Sequence, residues 1–380
     1  SAIKPRPVIA IDVPSGLTDD DGAIVGPILR ATHTLAVGTY KRAQVLPPAV
    51  EFTGDISLVT MDWDSNGTGR AEGDDGAIGA DDLYVVDEAF SAREVVPVPA
   101  FSDDKYARGV VGLVAGSDTY PGAGILATRG ALAAGVGMVR LNSTRRVQDL
   151  VLADQPGVVT VGGRIQSALI GPGLDEDRRE DALELAQFCG QSGMPPVIDA
   201  WALDLVPELA SSIKPDATVL TPHHGEAARL LSQLGEETTR AKVDADPLGA
   251  ARALVELTDA VVVLKSARTL CVYGQYSQGQ RRITTVEIPQ ETPWAGVAGS
   301  GDVLAGVVAG TLAAHQARVE RRSPGTTISE AECGECAGAG VWVHSRAGAK
   351  ASMGENACFR PIQAIDIARK VPDIVGPLCS

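Results

Sequence analysis

From residue 110 onward, short aliphatic runs alternate with stretches of helical periodicity, and this alternation limits the possible folds more than any other feature of the chain. Residues 110–115, 138–142, 167–170, 197–199, 218–221 and 261–265 read as strands. Residues 123–134, 179–189, 247–258 and 333–349 carry small and apolar side chains at helical spacing. Strands that are apolar almost throughout are buried on both faces, as parallel strands are. Their alternation with helices calls for right-handed crossovers and a mainly parallel sheet between two helical layers. The expected fold class is therefore a three-layer α/β/α unit over residues 100–380.

The 380 residues exceed what one ordinary core requires, and a front unit is expected over residues 1–62. It opens with an apolar run, residues 7–13, that reads as a buried strand breaking into the tight turn Pro14-Ser15-Gly16. Open α/β sheets place ligand groups at such strand ends. Further strands are expected near residues 31–37 and 55–59, with Lys41 in a loop between them. Residues 63–99 begin polar and turn-rich, and are expected to act as a linker.

A formal net charge of −15 repels phosphate backbones and anionic bilayers, so neither nucleic acid nor a membrane surface is an expected partner. Any phosphate ligand must be held locally by backbone N–H groups and a few cations. No run reaches the roughly 18 apolar residues of a membrane span and no signal-peptide pattern opens the chain, so the cytoplasm is the expected location. Six cysteines are too few and scattered for a disulfide framework. Cys333 and Cys336 form a C-x-x-C pair, with Cys358 and His344 downstream as further zinc ligands in principle; two buried thiols on a helix is the simpler expectation.

The chemistry concentrates at Gly299-Ser300-Gly301-Asp302, followed by Val303, Val307, Val308 and Leu312 at helical spacing. Glycines let the backbone turn sharply, and a helix opening there points free N–H groups at an anion. An aspartate beside an anion site is useful if it takes a proton from a hydroxyl that attacks a phosphate. Alone, Asp302 reads as a helix cap before it reads as a base.

This segment resembles the anion hole (Gly299, Ser300, Gly301) of ribokinase-like enzymes, and its flanks resemble the NAD(P)H-hydrate dehydratases. The likeness extends through Lys105-Tyr106, Val114-Ala115-Gly116-Ser117, Tyr120-Pro121-Gly122-Ala123, Gly171-Pro172-Gly173-Leu174, Asp199-Ala200, Thr221-Pro222-His223 with Gly225-Glu226, and Leu264-Lys265 with Thr269. It implies a ribokinase-like fold and an ADP- or ATP-dependent dehydration of hydrated NADH or NADPH, with Mg²⁺ and a homotetrameric assembly. The implied roles are Asp302 as base; Ala123, Gly173, His223 and Asp302 around the hydrate; and Lys265, Ser266, Ala267, Arg268, Thr269 and Gly301 around the nucleotide. Two departures stand out: Ser266 where the family has glycine, and Asp104 where it commonly has histidine. A ribokinase-like kinase of a small alcohol uses the same anion hole and is the nearest alternative; a nucleotide-binding regulator is a further one.

Residues 7 to about 60 resemble the C-terminal part of an NAD(P)H-hydrate epimerase domain, a partial Rossmann-like segment. The resemblance makes Asp12 and Ser15 remnant candidates for a potassium site. The family's Asn-Asn-Gly-Gly-Asp loop is missing from the sequence, so a truncated form without epimerase activity is expected.

Overall fold

The computed structural model describes residues 7–18, 22–59, 83–85, 95–96, 98–210, 212–277, 280–354 and 358–378. Its centre is a nine-stranded sheet. In chain order the strands are β4 (Leu83–Val85), β5 (Val110–Val114), β6 (Met138–Asn142), β7 (Ser167–Ile170), β8 (Pro196–Ile198), β9 (Val219–Leu220), β10 (Val261–Leu264), β11 (Arg268–Ser277) and β12 (Gln280–Pro289). Across the sheet they run β4-β12-β11-β10-β9-β8-β7-β5-β6. From β6 to β10 every pairing is parallel; β11 and β12 then form an antiparallel hairpin on β10, and β4 closes the edge parallel to β12.

Strand alternation sorts the core into two layers. Val261 and Val263 of β10 face one aliphatic cluster, while Val262 and Leu264 face the other. The first is filled by helices α1 (Pro121–Ala133), α6 (Ser300–Arg322), α7 (Glu330–Ser352) and α8 (Ala364–Leu378). The second is filled by α3 (Arg179–Ser192), α4 (His224–Gln233) and α5 (Pro247–Thr258), with α2 (Arg145–Asp154) covering the first near the β6 edge. The expected three-layer, mainly parallel architecture is present. Periodicity did not reveal the hairpin, because Leu270, Cys271, Val272 and Tyr273 are buried in succession and blur the alternation of an antiparallel strand.

Small residues bring α1 and α6 into close contact. A Cβ on Gly306 would lie 2.2 Å from the carbonyl oxygen of Ala127, and one on Gly130 would lie 2.3 Å from that of Val303. Backbone meets backbone at both points, so no side chain can rotate away. This contact fixes where the first turn of α6 lies.

Ahead of this unit stands a three-stranded parallel sheet of β1 (Ile9–Ile11), β2 (His33–Val37) and β3 (Asp55–Val59) in the order β1-β2-β3. The expected strand at β1 exists, but it is not buried: Ile9 and Ile11 are 60% and 64% exposed, because β1 is an edge strand. Leu46 carries the contact with the main unit by joining the α3–α4–α5 layer. The linker reading of residues 63–99 also needs correction. Leu83–Val85 pairs with Thr285–Glu287 in the main sheet, and Val95 and Val96 belong to its core. The polar residues 60–82, which suggested the linker, lie outside the described residues.

Gly306→Val forces apart the α1–α6 contact and should cost about 2–3 kcal/mol. Chemical denaturation of the full chain measures this, and an unchanged midpoint would show that the helices do not meet at the backbone.

Candidate active site

The C-terminal ends of four neighbouring parallel strands each deliver chemistry just past their last buried apolar residue. Ile170 is followed by Gly171-Pro172-Gly173, Ile198 by Asp199, Leu220 by Thr221 and Leu264 by Lys265. A parallel sheet aligns these positions at one rim, where open α/β sheets hold ligands. Gly171 must be glycine, since at φ +128° a Cβ would lie 1.8 Å from the carbonyl oxygen of Asp199. Gly173, also at positive φ, leaves room for Ala123: an added Cβ would lie 2.4 Å from the Ala123 methyl. Two of the expected substrate residues are thereby placed against each other.

At the centre of the rim, the Lys265 ammonium donates to Asp199 Oδ1 at 2.6 Å, and Thr221 Oγ1 donates to the same oxygen at 2.7 Å. Glu226 Oε2 lies 3.8 Å from the ammonium. Burial disfavours charge on Lys265, yet Asp199, Glu226 and Asp302 outweigh it and raise its pKa. Asp199 and Glu226 drew no role from the sequence. The available signal was position: Asp199 is an acid directly after a fully buried strand.

His223 is the N-cap of α4. Its Nδ1 accepts from the Gly225 and Glu226 N–H groups at 3.0 and 3.2 Å, while Glu226 Oε2 accepts from His223 N at 2.8 Å. A doubly accepting Nδ1 requires the neutral ring with its proton on Nε2. Partial burial, joined by the nearby Lys265, lowers its pKa in the same sense, against the pull of Glu226. The ring is about half exposed, with Nε2 at 3.5 Å from Glu226 Oε1. His224 instead bonds Asp244 Oδ1 through Nδ1 at 2.6 Å.

Asp302 sits in the first turn of α6 and does not cap it. The N-cap is Gly299 at φ +85°, where a Cβ would lie 2.3 Å from Leu126 of α1. The Asp302 carboxylate accepts no hydrogen bond among the described residues. Burial is the main cause that pushes its pKa up, to about 7, with Asp199 and Glu226 adding to the rise and Lys265 opposing it. The Ser300 N–H is already bonded to Val297 O at 3.1 Å. Among the described residues the N–H groups of Gly299, Gly301 and Asp302 donate to nothing. Of the Ser300 groups expected at the anion hole, the backbone N–H is thus already taken.

Beside this turn opens a cleft of about 220 Å³ lined by Lys265, Ser266, Thr269, Ser300, Gly301 and His344, among others. The Lys265 ammonium is 3.6 Å from where a Cβ on Gly301 would stand, so cation and helix N-terminus face the same volume. Ser266 turns its hydroxyl onto Arg268 O at 2.6 Å. Ala267 and Arg268, expected at the nucleotide, are not among the cleft's lining residues. The Arg268 guanidinium bonds Glu287 Oε1 at 3.2 Å, because Glu287 is fully buried and Arg268 is its charge partner.

No group of three or more His, Cys, Asp or Glu side chains suited to a metal ion occurs among the described residues. Cys333 and Cys336 are buried thiols of α7, with burial pushing both pKa values well up. At the potassium candidates, Asp12 Oδ1 accepts from Lys41 Nζ at 2.9 Å and from Val37 N at 3.1 Å, so a lysine already supplies the cation; Ser15 is exposed. No described helix is long and apolar enough to cross a membrane.

Residues 111–370 match the NAD(P)H-hydrate dehydratase family, and residues 2–43 match the YjeF-related protein N-terminus. The chain is 35% identical over 318 residues to the bifunctional NAD(P)H-hydrate repair enzyme of Mycobacterium tuberculosis, covering 81% of this chain and 59% of that one. Its counterpart in Thermosynechococcus vestitus is 30% identical over 332 residues, covering 82% and 61%. The chain thus spans less than two thirds of these relatives' length. Among solved structures, a ribokinase-like superfamily protein of Enterococcus faecalis superposes with a TM-score of 0.61 at 23% identity, covering 78% of this chain and 96% of that one. The ADP/ATP-dependent NAD(P)H-hydrate dehydratase of Bacillus subtilis, co-crystallised with ATP and Mg²⁺, superposes with 0.59 at 20% identity, covering 76% and 96%. These likenesses establish the ribokinase-like fold.

The electrostatics can be tested without a substrate. In the full chain carrying ¹³C-labelled aspartate, Asp302 should titrate near pH 7. Glu226→Gln removes a like charge and should lower that value, and Lys265→Met removes the opposing charge and should raise it. Titration at the ordinary carboxylate value in all three proteins would contradict the assignment.

Proposed function

Because the chain belongs to the NAD(P)H-hydrate dehydratase family, we propose that it restores NADH and NADPH from their hydrates at the expense of a nucleotide, with ADP as the donor and Asp302 as the base. The observation that carries this reading is the state of Asp302. It is an uncapped, half-buried carboxylate with a pKa near 7, beside free N–H groups and a lysine. A base is most effective when its pKa lies near the working pH.

The hydrate lies with its ring hydroxyl at Asp302, bounded by Ala123, Gly173 and His223. The nucleotide occupies the cleft at Lys265, Ser266 and Thr269, its terminal phosphate directed at Gly301. Asp302 takes the hydroxyl proton as the oxygen attacks the terminal phosphorus; the bond from that phosphorus to the nucleotide breaks, and the shortened nucleotide leaves. The ring carbon–oxygen bond then breaks with its electron pair on the departing phosphate, while the neighbouring carbon loses a proton to water and its C–H electron pair becomes the ring double bond. Hydroxide is a poor leaving group and phosphate a good one, which is what the nucleotide is consumed for. Backbone N–H groups and Lys265 hold the charge that gathers on the transferring phosphoryl group.

Mg²⁺ fits the oxygen-rich rim. With no three-ligand cluster among the described side chains, it would arrive on the nucleotide phosphates and take at most one or two carboxylates, as Mg²⁺ commonly does. Bound there, it would neutralise phosphate charge. The homotetramer implied by the family likeness stays part of the proposal. Epimerisation does not: Asp12 is tied to Lys41, and these 380 residues lack the Asn-Asn-Gly-Gly-Asp loop.

The test supplies the (6S) and (6R) hydrates of NADH separately, with Mg²⁺ and either ADP or ATP, and follows the return of dihydronicotinamide absorbance. The (6S) hydrate should be restored, faster with ADP, and the (6R) hydrate should not be restored above its uncatalysed rate. Asp302→Asn should lower turnover about 10³-fold while keeping nucleotide binding. No restoration with either nucleotide would refute the activity, and restoration of both epimers would refute the reading of the front segment.

A further inference from the structure

His344 lies on α7, far from the motif in sequence, and reaches the first turn of α6. Its Nε2 is 3.1 Å from the Ser300 carbonyl oxygen and 3.3 Å from Ser300 Oγ. A carbonyl oxygen only accepts, so Nε2 carries the proton. The ring is 7% exposed, and burial holds its pKa down at about 4, so it is neutral with the lone pair on Nδ1. Nδ1 bonds no described residue, although the side chain lines the cleft with Ser300 and Gly301. The single Nε2–H thus spans the carbonyl and hydroxyl oxygens of Ser300.

We infer that His344 is a positioning residue for phosphoryl transfer: its Nε2–H fixes the Ser300 hydroxyl oxygen and leaves the hydroxyl proton to donate to the phosphate held at Gly301. Two observations and one principle converge on this. The Ser300 N–H is spent on Val297 O, so the hydroxyl is what this residue can offer an anion. No other described group bonds that hydroxyl, and without His344 it would rotate freely. A preset donor is worth more than one that must reorganise as charge develops. The inference rests on the reading of residues 299–302 as a phosphoryl site.

The test is a mutant cycle in the full chain. Ser300→Ala and His344→Leu should each lower kcat for hydrated NADH about tenfold and leave the KM for the hydrate unchanged. Combined, they should lose no more than Ser300→Ala alone, since His344 acts through that hydroxyl. His344→Gln, whose amide nitrogen reaches the place of Nε2, should recover most of the rate. His344→Asn, whose amide stops at the place of Nδ1, should not; it also replaces His344→Leu in the cycle if that variant does not fold. Losses that multiply in the double variant, or equal rates for the Gln and Asn variants, would overturn the inference. The same cycle read by calorimetric titration of ADP with Mg²⁺ should show the same non-additivity in affinity. If the wild-type protein restores no hydrate, the proposed activity fails, and the binding cycle alone decides the role of His344.

Discussion

The buried pair of Lys265 and Asp199 is the interaction on which the site depends. An ammonium in the interior is costly unless carboxylates compensate it, and here Asp199 bonds it while Glu226 and Asp302 stand near. Removing one partner of such a pair typically costs about 3–5 kcal/mol, because a charge is left buried alone. The arrangement has a chemical consequence as well. Burial raises the pKa of Asp302 most, and Asp199 and Glu226 add to the rise against Lys265, which holds Asp302 near pH 7 as a usable base. The cluster therefore fixes the lysine's position and adds to a basicity that burial chiefly sets.

The rest of the fold keeps the cluster in register. Parallel strands end at a common rim, which brings together residues as distant in sequence as Asp199 and Lys265. Contact between α1 and α6 through Gly130 and Gly306 sets the depth of the α6 N-terminus. Gly299 then turns the chain at a positive φ that L side chains rarely adopt. Rigid neighbours on every side allow a carboxylate, a lysine and unpaired N–H groups to share one small volume. A loop without them would bring its own hydrogen bonds and spend the donors that the site requires.

Much of this was legible in the sequence. Strands 138–142 and 167–170 are mostly or wholly buried and were readable to the residue, and the glycines around Asp302 marked a turn in the chain. The hairpin of β11 and β12 was hidden by its unbroken apolar base, and β4 lay within a stretch whose composition suggests a linker. Side-chain pairings were less legible still. Nothing local tells that Arg268 is claimed by the buried Glu287, that Ser300 has spent its N–H on Val297, or that His344 reaches it from a helix more than forty residues away. These are facts of tertiary contact, set by strand order and helix packing. The same limit explains why Asp302 reads as a cap in isolation and as a base in the fold.

The most direct test of the account is the pH dependence of kcat/KM for the hydrate in the wild-type protein, measured with saturating nucleotide and Mg²⁺. A base with a pKa of about 7 is protonated and idle below that value and competent above it. The rate should fall tenfold per pH unit below about 7 and level off above it, with no such limb in the residual activity of Asp302→Asn. A rate that stays level down to the ordinary carboxylate range, or a limb that survives in the variant, would contradict it.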